Sequence, residues 1–321
     1  MELENVLLIG GSGFVGGWIA SRLSERGVRV TIPTRHRENT KKLIMLPTVS
    51  MVEANVHDPN VLAQLMQGQD AVINLVGILH DSDSRLPYGK GFAAAHVDLP
   101  RKIVAAMRES GVSRLVHMSA LKAALDAPSE YLCSKGEGET LVRAAMDELD
   151  VTVFRPSVIF GPDDAFLNMF AKLIKLFPIL PLGGGKARFQ PVYVGDVAEA
   201  FADCLTDQST FGQTYDLCGP KVYTLRELVD YTAQLVGKSP RIIDLGTGGW
   251  AYLQAGLMWL LPNPPLSPDN LRSMEVDSIS DGLHNYPGWQ PKALEAVAPT
   301  YLATTELPQF RLDRYRYRAG R

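Results

Sequence analysis

The fold is decided by a glycine-rich stretch near the start of the chain, Gly10-Gly11-Ser12-Gly13-Phe14-Val15-Gly16. A short apolar run, Val6–Ile9, precedes it, and apolar residues at helical spacing follow from Phe14 to Arg26. This pattern predicts a buried parallel strand, a tight turn and a helix. Glycines suit such a turn because they let the backbone turn sharply, approach a phosphate closely and pack the helix against the strand.

The N-terminus of a helix attracts an anion, because its first N–H groups lack intrahelical partners and the helix dipole is positive there. We therefore predict that this stretch binds the pyrophosphate of a dinucleotide. The predicted contacts come from Gly10, Gly13, Phe14, Val15 and Gly16. The alternative is that the glycines only shape the turn.

Strands and helices alternate through residues 1–160. The further predicted strands are Val28–Ile32, Val49–Glu53, Ala71–Val76, Arg114–Met118 and Val151–Phe154, and the further helices are Val61–Gln67, Phe92–Ser110 and Glu130–Leu149. This alternation predicts an α/β fold with a doubly wound parallel sheet, to which later elements return. Prolines gather beyond Gly161, so residues 161–321 are assigned mostly to a smaller C-terminal lobe on the substrate or partner side.

Composition narrows the classes of protein. The chain has 321 residues, a formal net charge of −3 and three widely spaced cysteines, Cys133, Cys204 and Cys218. The charge gives no support to nucleic-acid binding, and the odd number of cysteines is typical of a reducing compartment. The N-terminus lacks the pattern of an export signal, and the most apolar stretches are too short and interrupted for a membrane span. We expect a cytoplasmic protein, and we predict no metal site.

The residues after the second predicted strand indicate which dinucleotide binds. An acidic side chain at that position binds the 2′-hydroxyl of NAD. This chain has Thr34-Arg35-His36-Arg37 instead. Because an arginine can bind a phosphate through charge-assisted hydrogen bonds, Arg35 favours NADP(H), with NAD(H) as the alternative. A solvated basic loop without a ligand would contain the same residue types.

A tyrosine and a lysine stand four residues apart in Tyr131-Leu132-Cys133-Ser134-Lys135. On a helix this spacing puts both side chains on one face. A nearby ammonium group stabilises phenolate, so we predict that Lys135 lowers the pKa of Tyr131 and prepares it for proton transfer. Lys135 could also hold the nicotinamide ribose. The alternative is a helix with a half-buried tyrosine and a surface lysine.

Together these motifs resemble the short-chain dehydrogenase/reductase superfamily, in its extended and atypical branches. Three further stretches carry the resemblance: Asn74-Leu75-Val76-Gly77, Phe154-Arg155-Pro156-Ser157-Val158-Ile159-Phe160-Gly161-Pro162 and Val194-Gly195-Asp196-Val197-Ala198. The resemblance implies a Rossmann fold and a set of cofactor contacts. Asn55 or Asp58, with Val56, would lie near adenine, Val76 and Gly77 would flank the cofactor, and Pro156, Ser157 and Val158 would border the nicotinamide. Asp196 also suits the N-cap of a helix.

Two stretches are similar to the nucleotide-binding accessory subunits of respiratory complex I and their bacterial epimerase/dehydratase-like relatives. They are residues 154–170 and 183–196. This resemblance implies tight binding of NADPH and supports binding more than turnover.

The sequence departs from the superfamily at three positions. Epimerases of this type place a catalytic Ser or Thr after the fifth strand, where our register puts Ala120; Ser119 takes that role if the register shifts by one residue. His96 replaces a common Asn and is interpreted as a packed core histidine, with a proton relay as the alternative. Arg188 lies one residue from the arginine that grips a sugar nucleotide's diphosphate, which argues against a nucleotide-sugar substrate.

Two functions follow from these residues. The first is an NADP(H)-dependent oxidoreductase or epimerase in which Tyr131, Lys135 and Ser119 act on an unnamed small molecule. The second is a non-catalytic nucleotide-binding accessory or assembly protein of a respiratory or quinone-related complex.

The C-terminal lobe contains an apolar stretch, Trp250–Leu261, and a tail with five arginines, Arg311, Arg314, Arg316, Arg318 and Arg321. We interpret the stretch as a helix buried against the sheet and the tail as a solvated end. The alternative is peripheral contact with the inner face of a membrane or with a respiratory complex.

Overall fold

The structure is a computed structural model that describes residues 3–35, 41–81, 83, 87–249, 251–253, 256 and 266–303. Within it the chain forms two compact units. The first contains residues 1–156, 195–217 and 282–286, and the second contains residues 157–194, 218–281 and 287–321.

The first unit is built on a parallel sheet of seven strands among the described residues. In chain order they are β1 (Asn5–Ile9), β2 (Arg29–Thr34), β3 (Val49–Glu53), β4 (Ala71–Asn74), β5 (Arg114–Met118), β6 (Asp150–Pro156) and β11 (Gln213–Leu217). Their order across the sheet is β11-β6-β5-β4-β1-β2-β3. The strand order runs in one direction from β1 to β3 and in the opposite direction from β4 onward. At such a reversal a crevice opens at the carboxyl ends of the two central strands, here β1 and β4, and ligands of doubly wound sheets bind there. The fold class predicted from the sequence is confirmed.

Helices connect these strands. They are α1 (Phe14–Glu25), α2 (Lys41–Ile44), α3 (Pro59–Met66), α4 (Lys90–Phe92), a π-helix (Ala93–Asp98), α5 (Leu99–Ser110), α6 (Glu130–Arg143), α8 (Val194–Cys204) and a 3₁₀ turn (Gln208–Thr210). One apolar cluster holds the layers together, and it includes Leu7, Val72, Leu115 and Val151 from four neighbouring strands. The central strands β1, β4, β5 and β6 are almost entirely buried, as expected of a parallel sheet covered on both faces, whereas the edge strand β3 is largely exposed.

The second unit contains short strands and several helices in its described part. The strands are β7 (Ile159–Phe160), β8 (Ile179–Gly183), β9 (Arg188–Phe189), β10 (Val192–Tyr193), β12 (Tyr223–Thr224) and β13 (Arg241–Gly246). They pair as β10 with β7, β9 with β12, and β13 with β8. The helices are α7 (Leu167–Leu176), α9 (Leu225–Leu235), α10 (Pro268–Ser273) and α11 (Leu294–Leu302).

Two predicted helices differ from the observed ones. The predicted helix Phe92–Ser110 contains the π-helix Ala93–Asp98, and the predicted helix Glu130–Leu149 ends at Arg143. After Arg143 the backbone forms tighter bonds between residues three apart, such as Ala145 N to Val142 O at 3.1 Å. Bonds of this kind end an α-helix by winding its last turn more tightly.

Candidate functional site

The glycine turn joins β1 to α1, and close contacts leave no room for side chains there. Gly10 has a φ of +83°, which favours glycine. A Cβ on Gly16 would lie 2.5 Å from Gly11 Cα and 2.6 Å from Gly10 O, so helix and turn touch backbone to backbone. Glycine at these two positions is therefore required by the turn itself.

The same turn leaves the N-terminus of α1 open to an anion. Gly13 caps α1 without a side-chain hydrogen bond, and the first turn of the helix has no acidic side chain. Ser12 and Gly13 are exposed. Since the N–H groups and the dipole favour negative charge, the turn fits the pyrophosphate of a dinucleotide.

A surface pocket lies at the carboxyl ends of β2 and β3. It is lined by Arg35, Glu53, Ala54 and Asn55. Burial lowers the pKa of His57, and the positive charges of Lys102 and Arg35 lower it further. The side-chain oxygen Oδ1 of Asn55 accepts a hydrogen bond from the backbone N–H of His57 at 3.1 Å, while Asp58 caps α3. The surroundings of the pocket thus contain the basic groups of Arg35, His57 and Lys102 and the carboxylates of Glu53, Asp58 and Asp98.

The loop after β4 carries Val76 and Gly77, and buried polar groups hold it in place. The side-chain oxygen of Asn74 accepts from Val76 N at 3.2 Å, and its amide lies 3.2 Å from His117 Nδ1. A Cβ on Gly77 would lie 3.5 Å from His96 Nε2 and 3.8 Å from Lys135 Nζ. The loop therefore runs directly past both side chains.

His96 is a packed core histidine whose two ring nitrogens are both bonded. Nε2 accepts from the backbone N–H of Ile78 at 3.0 Å, and Nδ1 lies 2.8 Å from Ser134 Oγ. Ser134 Oγ donates to Tyr131 O, so His96 Nδ1 carries the proton and donates to Ser134. Burial lowers the pKa of His96 to about 2. The residue is neutral and joins the Gly77 loop to α6, which agrees with the core interpretation and not with a proton relay.

Helix α6 places Tyr131 and Lys135 on one face, as the spacing predicted. Lys135 is 4% exposed and its Nζ donates to Met118 O at 2.7 Å, so it is not a surface lysine. Burial lowers its pKa to about 8, against the opposing effect of Glu139. The ring of Tyr131 packs edge-on against His96, with centroids 5.6 Å apart.

The predicted lowering of the Tyr131 pKa by Lys135 is wrong for this structure. Burial raises the pKa of Tyr131 to about 12. The physical reason is desolvation, which disfavours phenolate, while the Lys135 amino group is held by the carbonyl of Met118. Tyr131 therefore keeps its proton at neutral pH.

Ser119 follows β5 directly and is 3% exposed. Its hydroxyl has no hydrogen-bond partner among the described residues. A buried hydroxyl without a partner costs free energy, and such groups mark places where a ligand or water completes the bonding. Ala120, the position that our register assigned to the catalytic hydroxyl, is buried and cannot supply one.

Three features of this region were missed by the sequence analysis. On α6, a Cβ at Gly136 would lie 2.5 Å from Ala124 C, and one at Gly138 would overlap His96 O. Buried Glu139 accepts from Arg155 Nε at 3.0 Å with both carboxylate oxygens. The two glycines that follow Lys135 on α6 were a usable signal, because glycine inside a helix is costly unless another backbone packs there.

The remaining predicted residues are divided between the two units. Pro156 ends β6 in the first unit. Ser157 and Val158 belong to the second unit, where Ser157 Oγ bonds to Ser278 O at 3.0 Å. Arg188 is exposed and paired with Asp277 at 2.7 Å. Asp196 lies in the first turn of α8, so its predicted place as N-cap is wrong, because the helix already begins at Val194.

Asp164 is the most heavily bonded carboxylate of the motif around Gly161-Pro162. It is 3% exposed and accepts from the backbone of Gly161, Leu167 and Asn168 and from the Tyr301 hydroxyl, at 2.6 to 3.2 Å. It thereby holds the N-terminus of α7. Asp164 therefore stabilises the fold of the second unit.

Several predictions for the C-terminal lobe concern residues outside the described part of the chain. Of the stretch Trp250–Leu261, only residues 251–253 and 256 are described, and the tail from 304 onward is not. Among the described residues, no helix is both long and apolar enough to cross a membrane.

The fold and the glycine turn define a dinucleotide-binding protein of the Rossmann type. A family model described as "NAD dependent epimerase/dehydratase family" matches residues 6–218. The chain belongs to this family.

Relatives include both respiratory-complex subunits and reductases. The chain is 34% identical over 300 residues to mouse (Mus musculus) NADH dehydrogenase (ubiquinone) 1 alpha subcomplex subunit 9, mitochondrial, covering 90% of this chain and 77% of that protein. It is 31% identical to the Arabidopsis thaliana protein of the same name over 245 residues, 74% of this chain but only 59% of that protein. It is 28% identical to ceramide reductase from Caulobacter vibrioides over 254 residues, 79% of this chain and 76% of that protein.

A solved structure titled gox2253 shares the fold. It superposes with a TM-score of 0.68 at 22% identity, covering 96% of this chain and 98% of that one.

Proposed function

We propose that this protein is an oxidoreductase that binds NADP(H) and reduces a carbonyl group, with Tyr131 as the proton donor. The observation that carries the proposal is the meeting of α6 with the loop after β4. Lys135 Nζ would lie 3.8 Å from a Cβ on Gly77, and Tyr131 lies one turn away on the same helix face. Acid–base groups beside the cofactor crevice are the arrangement that hydride-transfer enzymes need.

The glycine turn, the Gly77 loop and Ser119 fit a bound dinucleotide. In the glycine turn, Gly16 has no room for a Cβ, Gly10 has a positive φ, and no side chain caps the N-terminus of α1. The Ser119 hydroxyl has no hydrogen-bond partner among the described residues. Gly10, Gly13 and Gly16 would hold the pyrophosphate, and Val76 and Gly77 would flank the nicotinamide end. When bound there, NADPH would supply the hydride.

The charges around Arg35 support NADP(H) over NAD(H). Thr34 ends β2, so no acidic side chain stands where a 2′-hydroxyl is usually bound. Arg35 is exposed at the mouth of the pocket, and its charge and that of Lys102 both lower the pKa of His57. Glu53 lines the same pocket and opposes a phosphate. Arg35 would bind a 2′-phosphate through charge-assisted hydrogen bonds, which the neutral 2′-hydroxyl of NAD(H) cannot match.

The protonation states favour reduction over oxidation. With a pKa of about 12, Tyr131 carries its proton at neutral pH and can donate it to the oxygen of a carbonyl as the hydride reaches the carbon. As a base in the reverse direction it would first have to lose that proton. Lys135, with a pKa of about 8, can then share a proton with the phenolate that remains. Ser119, which directly follows β5, would donate a second hydrogen bond to the same carbonyl oxygen.

The test is turnover by Tyr131→Phe. Oxidation of NADPH is followed by loss of nicotinamide absorbance with a panel of ketones, quinones and nucleotide sugars. We expect the variant to lose about 10²–10⁴-fold in rate while its nucleotide affinity stays unchanged. The matched control is Tyr252→Phe, whose hydroxyl bonds Glu275 in the second unit. Equal rates for Tyr131→Phe and the wild type would refute the assignment.

A second candidate is favoured by the 34% identity to subunit 9 over 300 residues. In this function the protein holds a nucleotide without turning it over and serves as an accessory or assembly component of a respiratory complex. It is tested by native electrophoresis of membranes from the source cells. Comigration with NADH dehydrogenase activity, together with nucleotide binding and no turnover in the panel above, would favour it over the reductase.

A further inference from the structure

The second unit exposes an apolar surface where α7 ends and β8 begins. We call it the α7–β8 patch, and it consists of Leu176, Phe177, Ile179 and Ile243, which are 73%, 51%, 52% and 43% exposed. Ile243 joins the patch because β13 pairs with β8 in parallel register, with Arg241 opposite Ile179 and Ile243 opposite Pro181. Side chains at paired positions lie on the same face of the two strands.

The patch is not a by-product of core packing. Leu180 and Leu182, which alternate with Ile179 and Pro181 along β8, are buried in the core of the second unit, and Ile242 packs against the same core. Residues at the outward positions of such strands are ordinarily polar. Here they are apolar, and the two residues that connect α7 to β8 are also apolar.

Basic side chains surround the patch. Lys172 and Lys175 are exposed on α7, Lys238 is exposed between α9 and β13, and Arg241 is exposed beside Ile179. The sequence has no acidic residue in 165–181 or in 231–243. The nearest carboxylate along β13, Asp244, accepts from the Gly246 N–H at 2.8 Å, toward the other end of the strand. The patch is therefore apolar at its centre and positive around its edge.

We propose that the α7–β8 patch docks on an anionic lipid surface. Leu176, Phe177 and Ile179 enter the boundary between headgroups and acyl chains, and the four basic side chains bind lipid phosphates. A lipid surface explains the composition better than a protein partner does, because lysine is depleted in protein interfaces and three of the four cations are lysines. This inference is separate from the nucleotide chemistry and does not depend on it.

The test is sedimentation of the full-length protein with vesicles. Vesicles of phosphatidylglycerol and phosphatidylcholine are compared with pure phosphatidylcholine at low salt. We expect binding to the anionic vesicles alone, reduced by added salt. Each cation adds about fivefold in partitioning, so Lys172→Gln with Lys175→Gln should lose about 25-fold.

The apolar part is tested by Leu176→Ser with Phe177→Ser. We expect at least about a tenfold loss, since both side chains would leave the acyl boundary. The matched control is Met45→Ser with Leu283→Ser, which removes two side chains that are 83% and 79% exposed elsewhere. Thermal melts by circular dichroism check that every variant folds as the wild type does.

Three outcomes would overturn the proposal. The intact protein stays in the supernatant with anionic vesicles at low salt, or the patch variants bind as the wild type does. The third is a dimer, seen by sedimentation velocity, that dissociates on Leu176→Ser with Phe177→Ser, since this would assign the patch to a second copy of the chain.

Discussion

Substituting alanine for Gly16 should show that glycine is needed there for close backbone packing, although glycine has a low helix propensity. A Cβ at Gly16 would lie 2.5 Å from Gly11 Cα and 2.6 Å from the carbonyl oxygens of Gly10 and Gly11. These are backbone atoms, which cannot rotate away as a side chain can. At the neighbouring Gly17, a Cβ would lie 3.6 Å from Leu43 Cδ2, an ordinary contact.

The expected magnitudes follow from this contrast. In a helix interior, alanine is more favourable than glycine by about 1 kcal/mol, so Gly17→Ala should raise the free energy of unfolding by up to that amount. Gly16→Ala gains the same propensity but forces the turn away from α1. Overpacking of this kind costs about 1–3 kcal/mol, and rigid neighbours favour the upper end. The two variants should therefore differ by about 3 kcal/mol.

Urea unfolding followed by circular dichroism measures this difference, and titration with NADPH measures the effect on the site. We expect Gly16→Ala to weaken nucleotide binding because the displaced turn no longer presents its N–H groups to the pyrophosphate. Gly17→Ala should bind as the wild type does. Equal unfolding free energies for the two variants would refute the tight packing of turn on helix.

Two further predictions concern stability. Burial lowers the pKa values of His96 and His117 to about 2 and about 3, below the value of an unfolded histidine. Below about pH 6.5 the unfolded state therefore binds more protons than the folded state, and the free energy of unfolding should fall as the pH drops. The fall should reach up to about 1.4 kcal/mol per pH unit for each histidine. His96→Asn should make this slope shallower in urea unfolding between pH 5 and 7, and an unchanged slope would contradict the assignment. Asp164→Asn should lower the free energy of unfolding by about 1–3 kcal/mol, because an amide nitrogen cannot accept the hydrogen bonds that one carboxylate oxygen accepts. Tyr301→Phe should lower the free energy of unfolding less, because it removes only one hydrogen bond to Asp164. The order of the two thermal melting temperatures checks this.

The sheet was largely predictable because local pattern and global topology agree. Short apolar runs separated by helical segments mark β1 to β6, and parallel strands buried on both faces are read directly as apolar runs. Strand β11 was not predicted. Its sequence, Gln213-Thr214-Tyr215-Asp216-Leu217, is not a continuous apolar run, and its pairing with β6 joins residues about sixty positions apart, such as Thr214 with Val153.

The candidate site was predictable in its residue types but not in its protonation states. Spacing alone put Tyr131 and Lys135 on one face of α6. Whether the lysine charge or burial controls the pKa of the phenol depends on where the Lys135 amino group bonds. Its partner, Met118 O, lies 17 residues earlier in the chain and outside the helix, so the helical spacing does not predict it. The roles of His96 and Gly138 arise in the same way, since α6 packs against the π-helix through a contact that only the folded chain brings together.

The dinucleotide site is tested most directly by calorimetric titration of nucleotide-free protein with NADPH and with NADH. We expect both to bind saturably and NADPH to bind at least about tenfold more tightly, since a charge-assisted hydrogen bond contributes about 1.5–3 kcal/mol. Arg35→Ala should remove most of that preference and leave NADH binding unchanged. Equal affinities in the wild type would contradict the role of Arg35, and an absence of saturable binding by either nucleotide would contradict the dinucleotide site itself.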